Sequence, residues 1–257
     1  MAARPRIKLR TTPSSPVGRL FGVLELAGQI GTISVADVVD TLDLPRPTAH
    51  RLVATLEGQG YLQRRPAKGR FGPAPRLVEL AAAVLNSTLI SAPIQTVLAD
   101  LARRTGETCS LAILSSGMVE YVASAVGDSP LTLQFQAGQR APIYCTSTGR
   151  ALLSGLSESH LSAYMSTGPW SAITPHTITN PAKLQDRVRQ TRATGFALND
   201  SEYIVGVVGV AVPVRNKQGQ VLASLTISAP KIRKSIDDLK ALLPALRQSA
   251  MRISRVI

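Results

Sequence analysis

The chain has 257 residues, 44% of them apolar and 18% charged, a balance that supports a substantial core and excludes a disordered chain or a coiled coil. No apolar run approaches the ~18 residues of a spanning helix. The basic start over residues 1–10 runs into Thr, Pro and Ser, so neither a membrane partner nor a signal peptide is expected, and the location is cytoplasmic. Lys and Arg number 29 against 16 Asp and Glu, a net charge of +13, and +7 of it falls within residues 1–76, which points to a polyanionic partner.

Residues 1–16 read as a flexible basic arm, with Arg4, Arg6, Lys8 and Arg10 set among Pro and small residues. Helical spacing then begins with Leu20, Val23, Leu24 and Ala27 and stops at Gly28 and Gly31. Ser34 caps a second stripe, Val35, Val38, Val39 and Leu42. After the break Asp43-Leu44-Pro45, a third stripe of Ala49, Leu52, Val53 and Leu56 ends at Gly58 and Gly60. Three short helices with a three-residue turn between the last two predict a helix-turn-helix. Residues 61–71 read as a β-hairpin with basic flanks, a wing. The winged domain spans 17–75, and a linker helix follows over 76–90, locally interrupted at Asn86-Ser87-Thr88.

The domain over 91–257 opens with a helix running to about Arg104. Strands are expected over 108–114, 119–125 and 131–135, and helices over 147–155, 158–165 and 181–194. Further strands are expected over 196–199, 204–214 and 221–228, then one helix over 232–256 kinked at Pro244. The fold class is therefore α+β.

Apolar positions of the third helix face inward and leave Arg46, Thr48, His50 and Arg51 outward beside Pro47. A recognition helix enters the major groove N-terminus first, where Arg reaches guanine and Thr or His reach bases or phosphates, so these five residues are assigned to double-stranded DNA. Arg64, Arg65, Lys68, Gly69 and Arg70 in the wing suit phosphate or minor-groove contact.

The segment Val17-Gly18-Arg19-Leu20, Leu44 through Leu52, and Leu56-Glu57-Gly58-Gln59-Gly60-Tyr61-Leu62 resembles the winged-helix domain of IclR-type transcriptional regulators. Downstream, Arg140-Ala141-Pro142, Thr146 through Leu153, Gly195 through Glu202, Gly206 through Val214 and Leu225 through Pro230 resemble that family's effector domain, in the same order. The resemblance implies a winged helix joined by a linker helix to a GAF-like α/β effector-binding domain. It also implies a homodimer or homotetramer, a palindromic operator, and a small organic acid as effector.

Strand alternation places Leu222, Ser224, Thr226 and Ser228 on one face of the last strand and Val221, Ala223, Leu225 and Ile227 on the other. Gly209 and Ala211 leave room on the neighbouring strand, and Thr146, Ser147, Thr148 and Gly149 begin a helix whose free N–H groups favour a carboxylate. Where relatives that bind small keto-acids often carry Asp and Cys, this chain has Asn199 and Gly209, so the expected ligand is bulkier, an aromatic carboxylate. Arg140 and Arg150 are candidates for its counter-charge. The effector site is thus Thr146, Ser147, Thr148, Gly149, Asn199, Gly209, Thr226 and Ser228.

No metal or cofactor is expected. His50, His160 and His176 lack ligand spacing, and no nucleophile elbow, P-loop or zinc motif occurs. Cys109 and Cys145 lie 36 residues apart and form no disulfide framework. The reading is a regulator of catabolic genes. It competes with an enzyme using Cys145, whose thiolate a helix N-terminus would favour, and with an architectural protein that coats DNA without sequence preference.

Overall fold

The computed structural model describes residues 15–89, 91–130 and 133–257, so the basic arm lies, up to residue 14, outside the described residues. The chain divides into two units, one ending at Val84 and the other beginning at Leu85.

The first unit holds α1 (Pro16–Ile30), α2 (Val35–Leu42), α3 (Arg46–Gly58), β1 (Leu62–Arg64), β2 (Phe71–Pro73) and the start of α4 (Pro75–Leu89). Ser15 caps α1 through the amide of Gly18, and Gly31 closes it at φ +73°. Ser34 and Asp37 form a reciprocal capping box on α2. Asp43, at φ +51°, ends that helix and turns the chain into α3. Strand β1 pairs antiparallel with β2, Leu62 opposite Pro73, and an isolated bridge between Ile33 and Phe71 joins the stretch before α2 to the hairpin. The core is Val23, Leu26, Ile33, Val38, Leu42, Ala49, Leu52, Val53, Leu56, Leu62 and Phe71. Helix α4 runs unbroken through Asn86-Ser87-Thr88, where an interruption was expected. Those residues are poor helix formers, but none lacks an amide or a Cβ, so they lower stability without stopping the helix.

The second unit holds α5 (Ala92–Thr105), β3 (Thr108–Ser115), β4 (Met118–Ala125), β5 (Arg140–Pro142), α6 (Ser147–Leu153), α7 (Glu158–Met165), α8 (Pro181–Thr194), β6 (Ala197–Asp200), β7 (Val207–Arg215), β8 (Val221–Pro230), α9 (Ile236–Ala241) and α10 (Leu243–Ser254). Six strands form one sheet in the order β5-β4-β3-β8-β7-β6, every neighbouring pair antiparallel. Alternation gives the sheet two unlike faces. Leu111, Val208, Val210, Val212, Leu225 and Ile227 pack with Leu98 and Leu101 of α5 and Leu246 and Ile253 of α10. The opposite face meets α6, and there Thr226 lies between Ser110 and Ala211 while Ser228 lies between Thr108 and Gly209. Close packing holds α6: a Cβ on Gly149 would run into the carbonyl of Ile143.

Three expectations change. Residues 131 and 132 of the third expected strand lie outside the described residues, and 133–135 are not strand. The free edge of β4 goes instead to residues 138–142, with Tyr121 N–H donating to Gln139 O and Gly138 N–H to Tyr121 O. β7 begins at Val207, because residues 201–206 form a loop whose ends, Ser201 and Gly206, have φ of +60° and +76°. The last helix is two helices broken at Leu242: Pro244 lacks an N–H and its ring excludes the carbonyl four residues back. A capping box of Ser235 and Asp238 starts α9, leaving Ile232 exposed. Among the described residues no helix is long and apolar enough to cross a membrane.

Candidate functional site

In the first unit the order α2–turn–α3 follows from Asp43 and Pro45, which end one helix and precede the next. Burial of Ala49, Leu52, Val53 and Leu56 turns Arg46, Pro47, His50 and Arg51 to solvent and leaves Thr48 half-buried. No acidic residue stands in the first turn of α3, so its positive dipole end and two guanidinium groups act together.

The wing residues divide. Lys68 and Gly69 are exposed at the tip, and Gly69 takes φ +69°. Arg64 is exposed but sits 2.8 Å from the Glu57 carboxylate, and Arg65 donates to Pro73 O at 3.3 Å. Arg70 donates to Asp37 Oδ2 at 2.8 Å, the same carboxylate oxygen that caps the Ser34 amide at 2.8 Å. Arg70 therefore ties the wing to α2. Sequence reading placed its charge but could not see this partner, 33 residues upstream.

In the second unit a small pocket, with a cavity volume of about 30 Å³ and partly open to solvent, lies between α6 and the sheet. Thr146, Ser147, Thr148, Asn199, Gly209 and Ser228 line it together with Tyr121, Phe135, Tyr203, Ile204 and Val207. Gly149 and Thr226 lie outside the lining: Gly149 abuts Ile143, and Thr226 Oγ1 is 2.8 Å from Thr148 Oγ1. The aromatic and aliphatic walls escaped the sequence reading, because they come from β4, the 133–139 stretch, the 201–206 loop and the first residue of β7, far apart in the chain. Tyr121 and Phe135 stack with ring centroids 4.7 Å apart. Burial pushes the Tyr121 phenol up to about 12, so it stays a neutral hydrogen-bonding group. A Cβ on Gly209 would stand 3.0 Å from Ser147 Oγ, which makes the absence of a side chain part of the pocket's shape.

Neither expected counter-charge lines this pocket. Arg150 is buried and makes a two-pronged pair with Glu202 at 2.7 and 2.8 Å, and it also donates to Leu198 O. Arg140 is exposed, 3.9 Å from Glu120, and donates to Ser115 O at 3.1 Å. A long cation finds the nearest acid or carbonyl on its own side of the backbone, and both arginines point away from the ligand space. Asn199 uses its side-chain amide to donate to Cys145 O at 2.7 Å and to accept from Glu202 N–H at 3.3 Å. It clamps the start of α6 to the 201–206 loop, a bridge that Asp could not make with both its oxygens.

Cys145 is buried. Burial pushes its thiol up to about 12, Glu202 pushes in the same direction, and the opposing Arg150 does not compensate. Desolvation outweighs the helix terminus that was expected to favour a thiolate. Just before it, Tyr144 stacks on Trp170 at 5.2 Å, and Tyr164 stacks on the same indole at 5.3 Å. Among the described residues no three His, Cys, Asp or Glu side chains are placed to hold a metal ion.

Residues 82–255 match the family model for the C-terminal region of bacterial transcriptional regulator IclR, and residues 16–66 match that for the IclR helix-turn-helix domain. The transcriptional regulator SauR of Cupriavidus necator is 31% identical over 233 residues, covering 90% of this chain and 92% of that protein. A crystal structure of a transcriptional regulator from Rhodococcus sp. RHA1 is 31% identical at a TM-score of 0.64 and covers 94% of this chain and 97% of that one. The inducer-binding domain of a PobR double mutant from Acinetobacter, solved with 3-hydroxybenzoic acid, is 28% identical at a TM-score of 0.60 and covers 63% of this chain and 96% of that one.

Proposed function

The chain belongs to the IclR family of bacterial transcriptional regulators, with a helix-turn-helix and a ligand-binding domain, and from that premise we propose that it controls catabolic genes in the cytoplasm in response to an aromatic carboxylic acid. Residues 17–75 read a palindromic operator, 76–90 link, and 91–257 sense the effector. Arg46, Thr48, His50 and Arg51, beside Pro47, face the major groove. Arg64, Arg65, Lys68 and Gly69 reach the backbone, and Arg70 holds the wing in place.

The observation that carries the ligand class is a pocket lined both by uncharged hydroxyls and by aromatic and aliphatic side chains. Ser147, Ser228 and the Tyr121 phenol offer uncharged hydrogen bonds to a carboxylate, while Phe135, Ile204 and Val207 cover a ring. Gly209 leaves the space that a side chain would fill. The aromatic acid bound to the PobR domain supports the same class.

Val17 and Phe21 on α1 and Val78 and Leu80 on α4 give the first unit exposed apolar surface. This supports assembly as a homodimer, or a dimer within a homotetramer, through that unit.

The test is a gel-shift titration on DNA flanking the protein's own reading frame, against scrambled DNA at two salt concentrations. Preference on the order of 10³-fold supports operator reading. Equal affinity that falls steeply with salt returns the architectural alternative. For the ligand, calorimetry with benzoate-type and short keto-acids should favour the aromatic ones, and preference for the short acids would sink the assignment. Gly209→Ala puts a methyl against Ser147 Oγ. It should weaken the aromatic acid by about tenfold, the effect of one misplaced methyl group in a tight pocket, with ligand-free operator affinity unchanged.

A further inference from the structure

We propose that the outward face of α5 and α10, with the β7–β8 turn, is a second DNA-backbone contact that acts without regard to sequence; it rests on the reading of this chain as a DNA binder. Residues 85–257 alone carry seventeen Lys and Arg against ten Asp and Glu, a net of +7, which the sensing of a small acid in an uncharged pocket does not require. Buried pairs absorb some of this charge, Arg150 with Glu202 and Arg233 with Glu107.

On α5 and α10 the pairing is lopsided. Asp100 is the one acid in α5, and α10 contains none. Three guanidinium groups share that carboxylate: Arg252 at 2.8 Å, and Arg103 and Arg104 at 3.8 Å each. Arg255 follows Arg252 by three residues, so it extends the row along the same side and is exposed. Ser254 Oγ donates to Arg215 O, which sets the end of β7, with Arg215 and Lys217, against the end of α10. The 216–220 turn has no acid to offset them. Of these six cations three lie within 4 Å of the Asp100 carboxylate, and no ion pair is seen for Arg215, Lys217 or Arg255 among the described residues.

Guanidinium groups match phosphate oxygens in geometry as well as charge. An interface for a protein partner centres on large apolar or aromatic anchors, whereas the exposed apolar side chains on this face are Met251 and Val256, with no aromatic between the arginines. DNA held by the first unit is also presented to the second at high local concentration, because one chain carries both.

The experiment compares the full-length wild type with R103Q/R252Q/R255Q on DNA carrying the operator and long flanks, over a series of salt concentrations. The triple variant should keep the wild-type preference for operator over scrambled sequence. Its affinity should fall about tenfold near 0.1 M salt, and its log–log salt slope should become shallower by about 2 to 3, roughly 0.9 per lost phosphate contact. D100N frees the three arginines and should shift affinity and slope the other way. Unchanged circular dichroism and effector affinity guard against misfolding. Unaltered affinity and slope in the triple variant, with wild type still operator-selective, overturn the proposal and leave the face to an acidic protein partner. If wild type shows no operator preference yet the triple variant still loses slope, the backbone contact stands and the role given to α3 falls.

Discussion

Replacing Arg150 by Met, or Glu202 by Gln, is expected to cost about 3–5 kcal/mol of stability, the usual penalty for stranding one member of a buried ion pair. Arg150 is 2% exposed and Glu202 8%, and the two-pronged geometry satisfies both groups, with Leu198 O taking a further guanidinium proton. Met leaves the carboxylate without its cation. Gln leaves the guanidinium with a neutral partner where it had a charge. In a unit of this size the loss should appear as a melting transition lowered by roughly 10 °C, read by circular dichroism. The double variant Arg150→Met with Glu202→Leu, which removes both charges, should regain much of the loss. A single variant that melts with wild type would show that water reaches the pair. The same contact also shapes the sensor, since Glu202 accepts through its backbone carbonyl from Thr174 and Thr177 and is followed by Tyr203 and Ile204 in the pocket wall. Partial disorder there should weaken the effector before the unit unfolds.

In the first unit, Arg46→Ala with Arg51→Ala should lower operator affinity by on the order of 10²-fold or more and reduce discrimination against scrambled DNA, because each base-reading arginine is worth about 1–3 kcal/mol. Lys68→Ala, at the exposed wing tip, should weaken every sequence alike and reduce the salt slope by about 1. Arg70→Ala separates from both. Its guanidinium holds Asp37 2.8 Å away, so its loss should lower the melting point of the unit and loosen the wing, with little change in the slope. Gel shifts against operator and scrambled DNA at several salt concentrations distinguish the three. A double Arg variant that binds both DNAs as wild type does would remove α3 from the interface.

Much of the fold was readable because its elements are short and their apolar periods are clean. Ser34 and Asp43 bracket α2 by local chemistry, and the alternation over β8 correctly separated Leu225 and Ile227 from Thr226 and Ser228. Failures arose where a non-local partner decided the outcome. Residues 133–135 have strand-like composition, but β4 has one free edge and residues 138–142 occupy it. Pro244 was expected to kink a helix that it breaks. The polar residues grouped at the pocket were legible as runs and faces, whereas Tyr121, Phe135 and Tyr203 converge from three segments with no spacing rule between them. Arg150 misled for a related reason: a charge in a sequence names no partner, and only the fold shows that Glu202 claims it.

The stack of Tyr144, Trp170 and Tyr164 has an optical consequence. The chain contains one tryptophan, so the red edge of its absorption and nearly all emission excited there belong to a single indole stacked with two phenol rings. Tyr144 is two residues from Thr146 in the pocket lining, so a ligand that moves the start of α6 shifts one of the rings against that indole. The unlabelled protein thus carries one indole close in sequence to the pocket lining, and a change in emission intensity is the expected result of titrating benzoate-type acids, with Trp170→Phe as the dark control.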